Sequence, residues 1–208
     1  MKLRLLAAAA LALAANAAHA SNLIAPGDSW QYTFSAPAAG WQVGTDGGSW
    51  NTGNAPFSNC GTVGGNNCSG YDPLHYFDAN TKWDASPTFG DDLWVRKQVD
   101  LTGFDLGSLH WDLGVDNGFT LFINGTQVAS GNAEGFTYRW EYSGDVASNL
   151  LHSGNNWVAV ALEDHGGLTA FDMQLTGKTV PVPEPETYAM LLAGLGVMVM
   201  LGKRRSVD

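Results

Sequence analysis

The residues from Ser21 to Gly177 read as an all-β sandwich, on three observations. Clusters of Gly, Asn, Asp and Ser that favour turns recur about every ten residues. Segments between them alternate apolar and polar side chains, the period of two expected where one face of a strand is buried. No stretch of this window carries a sustained helical period, and the helix-favouring segments lie at the two ends of the chain.

Each expected element rests on its own residues. "WQYTF" is the first strand, followed after a long interval by "LWVRKQV" and "SLHWDLGV". "GFTLFINGTQVA" predicts a hairpin, because Asn124-Gly125 readily adopts the positive φ angles of a type I′ turn. In "FTYRWEY", Phe136, Tyr138, Trp140 and Tyr142 fall on one face and Thr137, Arg139 and Glu141 on the other, which predicts a half-buried strand. "DVASNLL" predicts a short helix or 3-10 turn, and the continuously apolar "WVAVALE" a central strand covered on both faces. "LTAFDMQLTG" is the last strand. About eight strands in roughly 150 residues suffice to bury one core between two sheets. Residues 44–70 are poor in apolar side chains and dense in Gly, Asn and Ser, and predict a long loop.

Both ends carry signals of another kind. In "MKLRLLAAAALALAANAAHA", Lys2 and Arg4 precede an apolar stretch that closes on Ala18-His19-Ala20. That order is a secretory signal peptide over 1–20, cut by signal peptidase after Ala20, so the mature chain is exported. Cys60 and Cys68 then meet an oxidising compartment and predict one local disulfide. Closing so short a loop contributes about 2–3 kcal/mol in the chain-entropy model, enough to pin the segment. A zinc site would need further Cys or His at suitable spacing.

Charge excludes one class of partner. Between residues 21 and 182 there are seventeen acidic side chains against five basic ones, a formal charge of −12, which repels phosphate backbones and excludes nucleic acid. The sequence contains no G-x-S-x-G, H-E-x-x-H or phosphate-cradling glycine loop. Glycoside hydrolysis needs two carboxylates across a cleft, and nothing marks such a pair among turn-type aspartates. "EDHGG" around His165 reads as a hairpin turn. No catalytic residue is assigned, and the domain reads as a non-enzyme.

The order "DDLWVRKQVDL", "WDLGVDNGFTLFINGTQV" and "SNLLHSGNNWVAVALEDHGGLTAFDMQL" resembles the galactose-binding-like jelly roll, an accessory sandwich of many carbohydrate-active enzymes. Trp94 and Arg96, Asp116-Asn117, Asn124-Gly125 and Gly154-Asn155 take the places of that family's strand and turn signals. The resemblance spans residues 91–177 and implies a jelly-roll β-sandwich that binds carbohydrate at its rim. Two readings stand for Asp116, Asn117 and Asn124: turn residues satisfied by their own backbone, or hydrogen-bonding groups for a sugar. Trp41 and Trp50, in "GWQVGTDGGSW", are candidate stacking platforms, since no strand pattern there accounts for burial; anchoring of a loop is the alternative for each. Asp91, Asp92 and Asp172, with Glu163 and Asp164, are candidate oxygen donors for a structural Ca²⁺, although their spacing matches no EF-hand loop.

The C-terminal "VPVPEPETYAMLLAGLGVMVMLGKRR" has three parts: a Pro-rich linker over 178–186, an uncharged apolar stretch over 187–202, and a basic tail over 203–208 with Lys203, Arg204 and Arg205. As a helix the apolar part is about 24 Å long, short against a hydrocarbon core of about 30 Å; Tyr188 and the basic cluster extend its reach. The cluster orients the basic end to the cytoplasm. This arrangement resembles the PEP-CTERM sorting signal. The resemblance implies that an exosortase recognises Pro183-Glu184-Pro185, removes the transient membrane helix and delivers the domain from an inner-membrane intermediate to the cell surface or extracellular polysaccharide. A permanent single-span anchor is the alternative. For the domain itself the alternatives are a matrix protein with no specific ligand, and a glycan-active enzyme.

Overall fold

One long strand joins two layers that are antiparallel except for one short pair. The structure is a computed structural model and describes residues 19–84, 92–133, 139–181 and 192–197. The unit Ala20–Thr179 contains eleven strands among these: β1 (Ala20–Ile24), β2 (Ser29–Thr33), β3 (Asn51–Asn54), β4 (Phe57–Ser58), β5 (Thr81–Lys82), β6 (Leu93–Asp100), β7 (His110–Ile123), β8 (Thr126–Ala133), β9 (Tyr142–Asp145), β10 (Asn155–Glu163) and β11 (Ala170–Lys178). One layer runs β3-β2-β6-β10-β7-β8 and is antiparallel throughout. In the other, β11 lies between β7 on one side and β1 and β4 on the other; β9 pairs with β7, and β5 pairs with β4 in parallel.

β7 serves both layers. Its first half, His110–Asp116, pairs with β11, and its second half, from Asn117 onward, pairs with β8 and β10. A strand that changes sheets midway makes the corner between them. The expected turn at Asp116-Asn117 is therefore overturned: both residues lie within β7, joined by a cis peptide bond, and both are buried. Gly114 permits the passage, because a Cβ there would collide with the Arg139 carbonyl oxygen and the Phe77 ring.

The layers meet over aromatic contacts. Trp30 on β2 meets Phe171 on β11 edge-on at 5.6 Å, Tyr32 meets Phe57 at 5.3 Å, and Phe119 lies 4.8 Å from Tyr142. Leu93, Val95, Leu113, Val115, Leu121, Val160 and Leu175 fill the space around them. β10 is central, between β6 and β7, as its unbroken apolar run predicts.

The Asn124-Gly125 hairpin forms as predicted, with φ of 48° and 82°. The Asn124 side chain does more than turn the chain. Its Nδ2 donates to the Leu150 carbonyl and to Asn156 Oδ1, each at 2.8 Å, and its Oδ1 accepts the Trp157 amide at 2.8 Å. Asn156 in turn donates to the carbonyls of His152 and Gly154. Asn124 thus ties the hairpin to β10 and to the predicted 3-10 turn, Ser148–Leu150, and is no sugar ligand at a rim.

Two expected segments differ. The loop expected over 44–70 contains β3, β4 and a single helical turn, Gly61–Gly64; strands of four and two residues are too short to display a period, yet Phe57 on β4 is fully buried. The strand expected over "FTYRWEY" begins only at Tyr142, since Arg139 and Trp140 form a turn; Phe136 and Tyr138 lie outside the described residues. The Cys60–Cys68 disulfide is formed. Residues 192–197 are helical, and no helix among the described residues is long and apolar enough to cross a membrane. The expected signal peptide up to residue 18, Pro183-Glu184-Pro185 and Lys203-Arg204-Arg205 lie outside the described residues.

Candidate functional site

Trp41 and Trp50 enclose an arginine. Trp41 opens a 3-10 turn, Trp41–Val43, held between Gly40 and Gly44 at φ of 86° and 70°. Its ring stacks on Trp50 at 6.1 Å and meets Phe122 edge-on, and it is 7% exposed. A sugar platform needs an open face, so Trp41 is corrected to a packing residue. Trp50 is half-buried, with the Arg96 guanidinium 4.0 Å from its ring centroid; Trp157 lies on Arg96 at 5.4 Å.

Arg96, on β6, is fully engaged. Its Nε donates to Gln31 Oε1 at 2.7 Å, and its Nη1 donates to the Trp41 carbonyl at 3.0 Å and to Asp46 Oδ1 at 2.6 Å. Trp50 Nε1 donates to the other oxygen of Asp46 at 2.9 Å. Burial pushes the Asp46 carboxyl up, but the bonds from Trp50 and Arg96 outweigh it and hold the group below its ordinary value. The basic residue after an aromatic in "LWVRKQV" is thus the anchor of the Trp41–Trp50 segment.

Asp116 and Asn117 stand at the sheet switch. Asn117 Oδ1 accepts the His165 amide at 2.8 Å, which fixes the β10–β11 turn over "EDHGG". Their burial removes them as sugar ligands at a rim. Asp92 accepts the Asp164 amide at 3.2 Å, and Asp164 accepts the Gly166 amide at 2.7 Å, so both serve that turn as well. Asp172 lies on β11, where its Oδ1 accepts the Met173 amide at 2.8 Å. Asp91 lies outside the described residues, and among the described residues no three His, Cys, Asp or Glu converge on one point.

The structure brings forward a region that strand patterns do not mark. After the disulfide, "YDPLHYFD" folds back on itself. The amides of Tyr71 and Asp72 both bond the Cys68 carbonyl at 2.8 Å, and the buried Asp72 carboxylate accepts the Phe77 amide at 2.7 Å. Phe77 is buried as the anchor. This lobe presents three large side chains outward, Tyr71 and Leu74 each 67% exposed and Tyr76 41% exposed, beside the exposed His75–Asp78 pair.

Beside the lobe stands Arg139. Its guanidinium carbon lies 4.7 Å from the Tyr76 ring and 4.8 Å from the Trp140 ring. The nearest carboxylate oxygen, on Asp172, is 3.9 Å away, and Arg139 Nε is buried without a hydrogen-bond partner. Burial pushes Asp172 up to about 6, against the amides of Met173 and Gly27 and the charge of Arg139. Burial likewise raises Glu141. The sequence signal for this region is three aromatics within eight residues directly after a cystine, with a D-P turn among them.

Comparison with known proteins bears on the tail. Among solved structures the chain is similar to a calcium-binding mutant of Bacteroides uniformis β-glucuronidase 2, with TM-score 0.48 and 14% identity over 77% of this chain and 18% of that one. It is similar to Ruminococcus gnavus β-glucuronidase, with TM-score 0.46 and 13% identity over 77% and 28% of the two chains. A β-glucuronidase of an uncultured Clostridium sp. gives TM-score 0.42 and 10% identity over 79% and 29%. The chain spans less than a third of the length of each of these proteins. No curated protein matches it in sequence. Residues 181–205 match the model of the PEP-CTERM protein-sorting motif, the signal by which exported proteins are marked for exosortase processing.

Proposed function

We propose that the chain is held as a membrane intermediate by the helix over 187–202, is cut by an exosortase at Pro183-Glu184-Pro185, and reaches the cell surface or polysaccharide matrix. There its sandwich, a galactose-binding-like jelly roll, acts as a carbohydrate-binding module and not as an enzyme. The observation that supports binding is the outward display of Tyr71, Leu74 and Tyr76 on a lobe pinned by the Cys60–Cys68 disulfide. Large exposed apolar side chains on a rigid support mark interaction surfaces, and an aromatic face suits the C–H face of a sugar ring.

Pull-down on a panel of insoluble and immobilised polysaccharides tests the binding. Retention by at least one polymer, reduced in Tyr76→Ala and Tyr71→Ala but unchanged in Trp41→Phe, is the expected result. Retention by none leaves a matrix protein without a ligand, and hydrolysis of a panel member returns the domain to the enzymes. Intact-mass measurement from the native host tests the sorting: a mature chain ending near Pro185 is expected, and one ending at Asp208 contradicts it.

A further inference from the structure

Of the described lysines and arginines that approach a carboxylate, Arg139 does so at the longest distance. Lys82 lies 2.8 Å from Asp84, Arg96 2.6 Å from Asp46, and Lys97 3.1 Å from Asp28. Among the described residues Arg139 has only the 3.9 Å approach to the Asp172 carboxylate, beyond hydrogen-bonding distance. Its side chain is 27% exposed, so most of its hydration is already lost. A guanidinium carries five N–H donors in one plane, and a desolvated donor without an acceptor is costly. Tyr76 and Trp140 hold the group in place, so it meets a ligand with little left to order.

We infer that Arg139, flanked by Tyr76 and Trp140, receives the carboxylate of an acidic sugar, which makes the polymer bound by this domain a polyuronate. The inference rests on the carbohydrate-binding reading and adds the charge of the ligand. A planar carboxylate can lie in the guanidinium plane and accept two N–H bonds at once, while the exposed part of Tyr76 takes the ring that bears it. Diffuse attraction cannot do this work. Seventeen acidic against five basic side chains over residues 21–182 repel a polyanion at long range, so recognition has to come from one short-range site that persists at physiological salt.

The test uses the full chain, polygalacturonate, and the same polymer with its carboxylates methyl-esterified, at 150 mM NaCl. Polygalacturonate is expected to bind at least tenfold tighter than the ester. Arg139→Gln should abolish that difference, Arg139→Lys should retain only part of it, and Tyr76→Ala should weaken binding of both forms. Lys178→Gln removes the same charge from an exposed site on β11 and should change nothing. Equal binding of acid and ester overturns the inference and leaves carbohydrate binding standing, whereas binding of neither polymer, nor of any other glycan, overturns both. Equal losses in Arg139→Gln and Lys178→Gln point to diffuse charge and also overturn it. Should Arg139→Gln fail to fold, an unaltered preference for the acid in Arg139→Lys, or unaltered binding in Tyr76→Ala, overturns it in its place.

Discussion

Arg96 Nη1 lies 2.6 Å from Asp46 Oδ1, with the two side chains 8% and 1% exposed. The pair joins the β6 strand to the glycine-rich segment that carries Trp41 and Trp50; Arg96 Nη1 also donates to the Trp41 carbonyl, Arg96 Nε to Gln31, and the other Asp46 oxygen accepts from Trp50 Nε1. Removing one member leaves the other buried and uncompensated. Arg96→Ala is expected to destabilise the domain by about 3 kcal/mol in urea denaturation. A loss under about 1 kcal/mol would mean that the pair is solvated.

Asp46 and Asp172 make opposite contributions to pH dependence. The Asp46 carboxyl is held below its ordinary value in the fold, so the stability it contributes is present above the unfolded value near 3.8 and is lost as pH falls through the lower folded value. Asp172 is pushed up to about 6, so the native state holds a proton there that the unfolded chain has released. Between about pH 4 and pH 6 this group therefore lowers stability as pH rises, by on the order of 2–3 kcal/mol across the window. Asp172→Asn is expected to flatten the decline, as measured by thermal unfolding from pH 4 to pH 7; an unchanged slope would place the decline elsewhere.

Asn124 separates a turn residue from a structural one. Asn124→Gly keeps the positive φ but deletes three side-chain hydrogen bonds, among them the one to Asn156. At about 1 kcal/mol for each bond, a loss of roughly 2–3 kcal/mol is expected. An exposed turn residue would lose a few tenths.

The disulfide supports the lobe more than the sandwich. Replacing Cys60 and Cys68 together by Ser should lower global stability by about 2–3 kcal/mol. In hydrogen exchange, residues 61–78 should lose protection while β6, β7 and β10 keep theirs. Uniform loss of protection would show instead that the lobe and the sandwich open together.

How far the strands were legible depended on their length. β10 and the β7–β8 hairpin have eight or more residues and a clear turn or apolar run, and "WVAVALE" and "FINGTQV" announce them. β3 and β4 have four and two residues, held by partners on β2 and β11 far along the chain, so local pattern could not reveal them. Asp116-Asn117-Gly118 has the composition of a turn, and only pairing with β11 before it and β8 after it keeps the backbone extended. The glycine-rich setting of Trp41 suggested exposure for the same reason: the residue that covers it, Trp50, is nine positions on, and the cation that binds its carbonyl is fifty-five.

What the sequence determined by itself is the address and the class of the fold. The order of Pro-Glu-Pro, an apolar run and a basic cluster over 181–205 is contiguous, so it needs no folding to be read. Alternation and turn spacing likewise declare β-structure locally. Tertiary structure alone decided which aromatic rings face water and which arginine is left with an open hydrogen-bonding edge. Trp41 and Tyr76 are both aromatic residues in irregular sequence, and one is buried while the other is displayed. Arg96 and Arg139 are both flanked by rings, and among the described residues one has carboxylate and carbonyl acceptors within 3.0 Å while the other has none. Burial and pairing are properties of neighbours brought together across tens of residues, which composition and period do not encode.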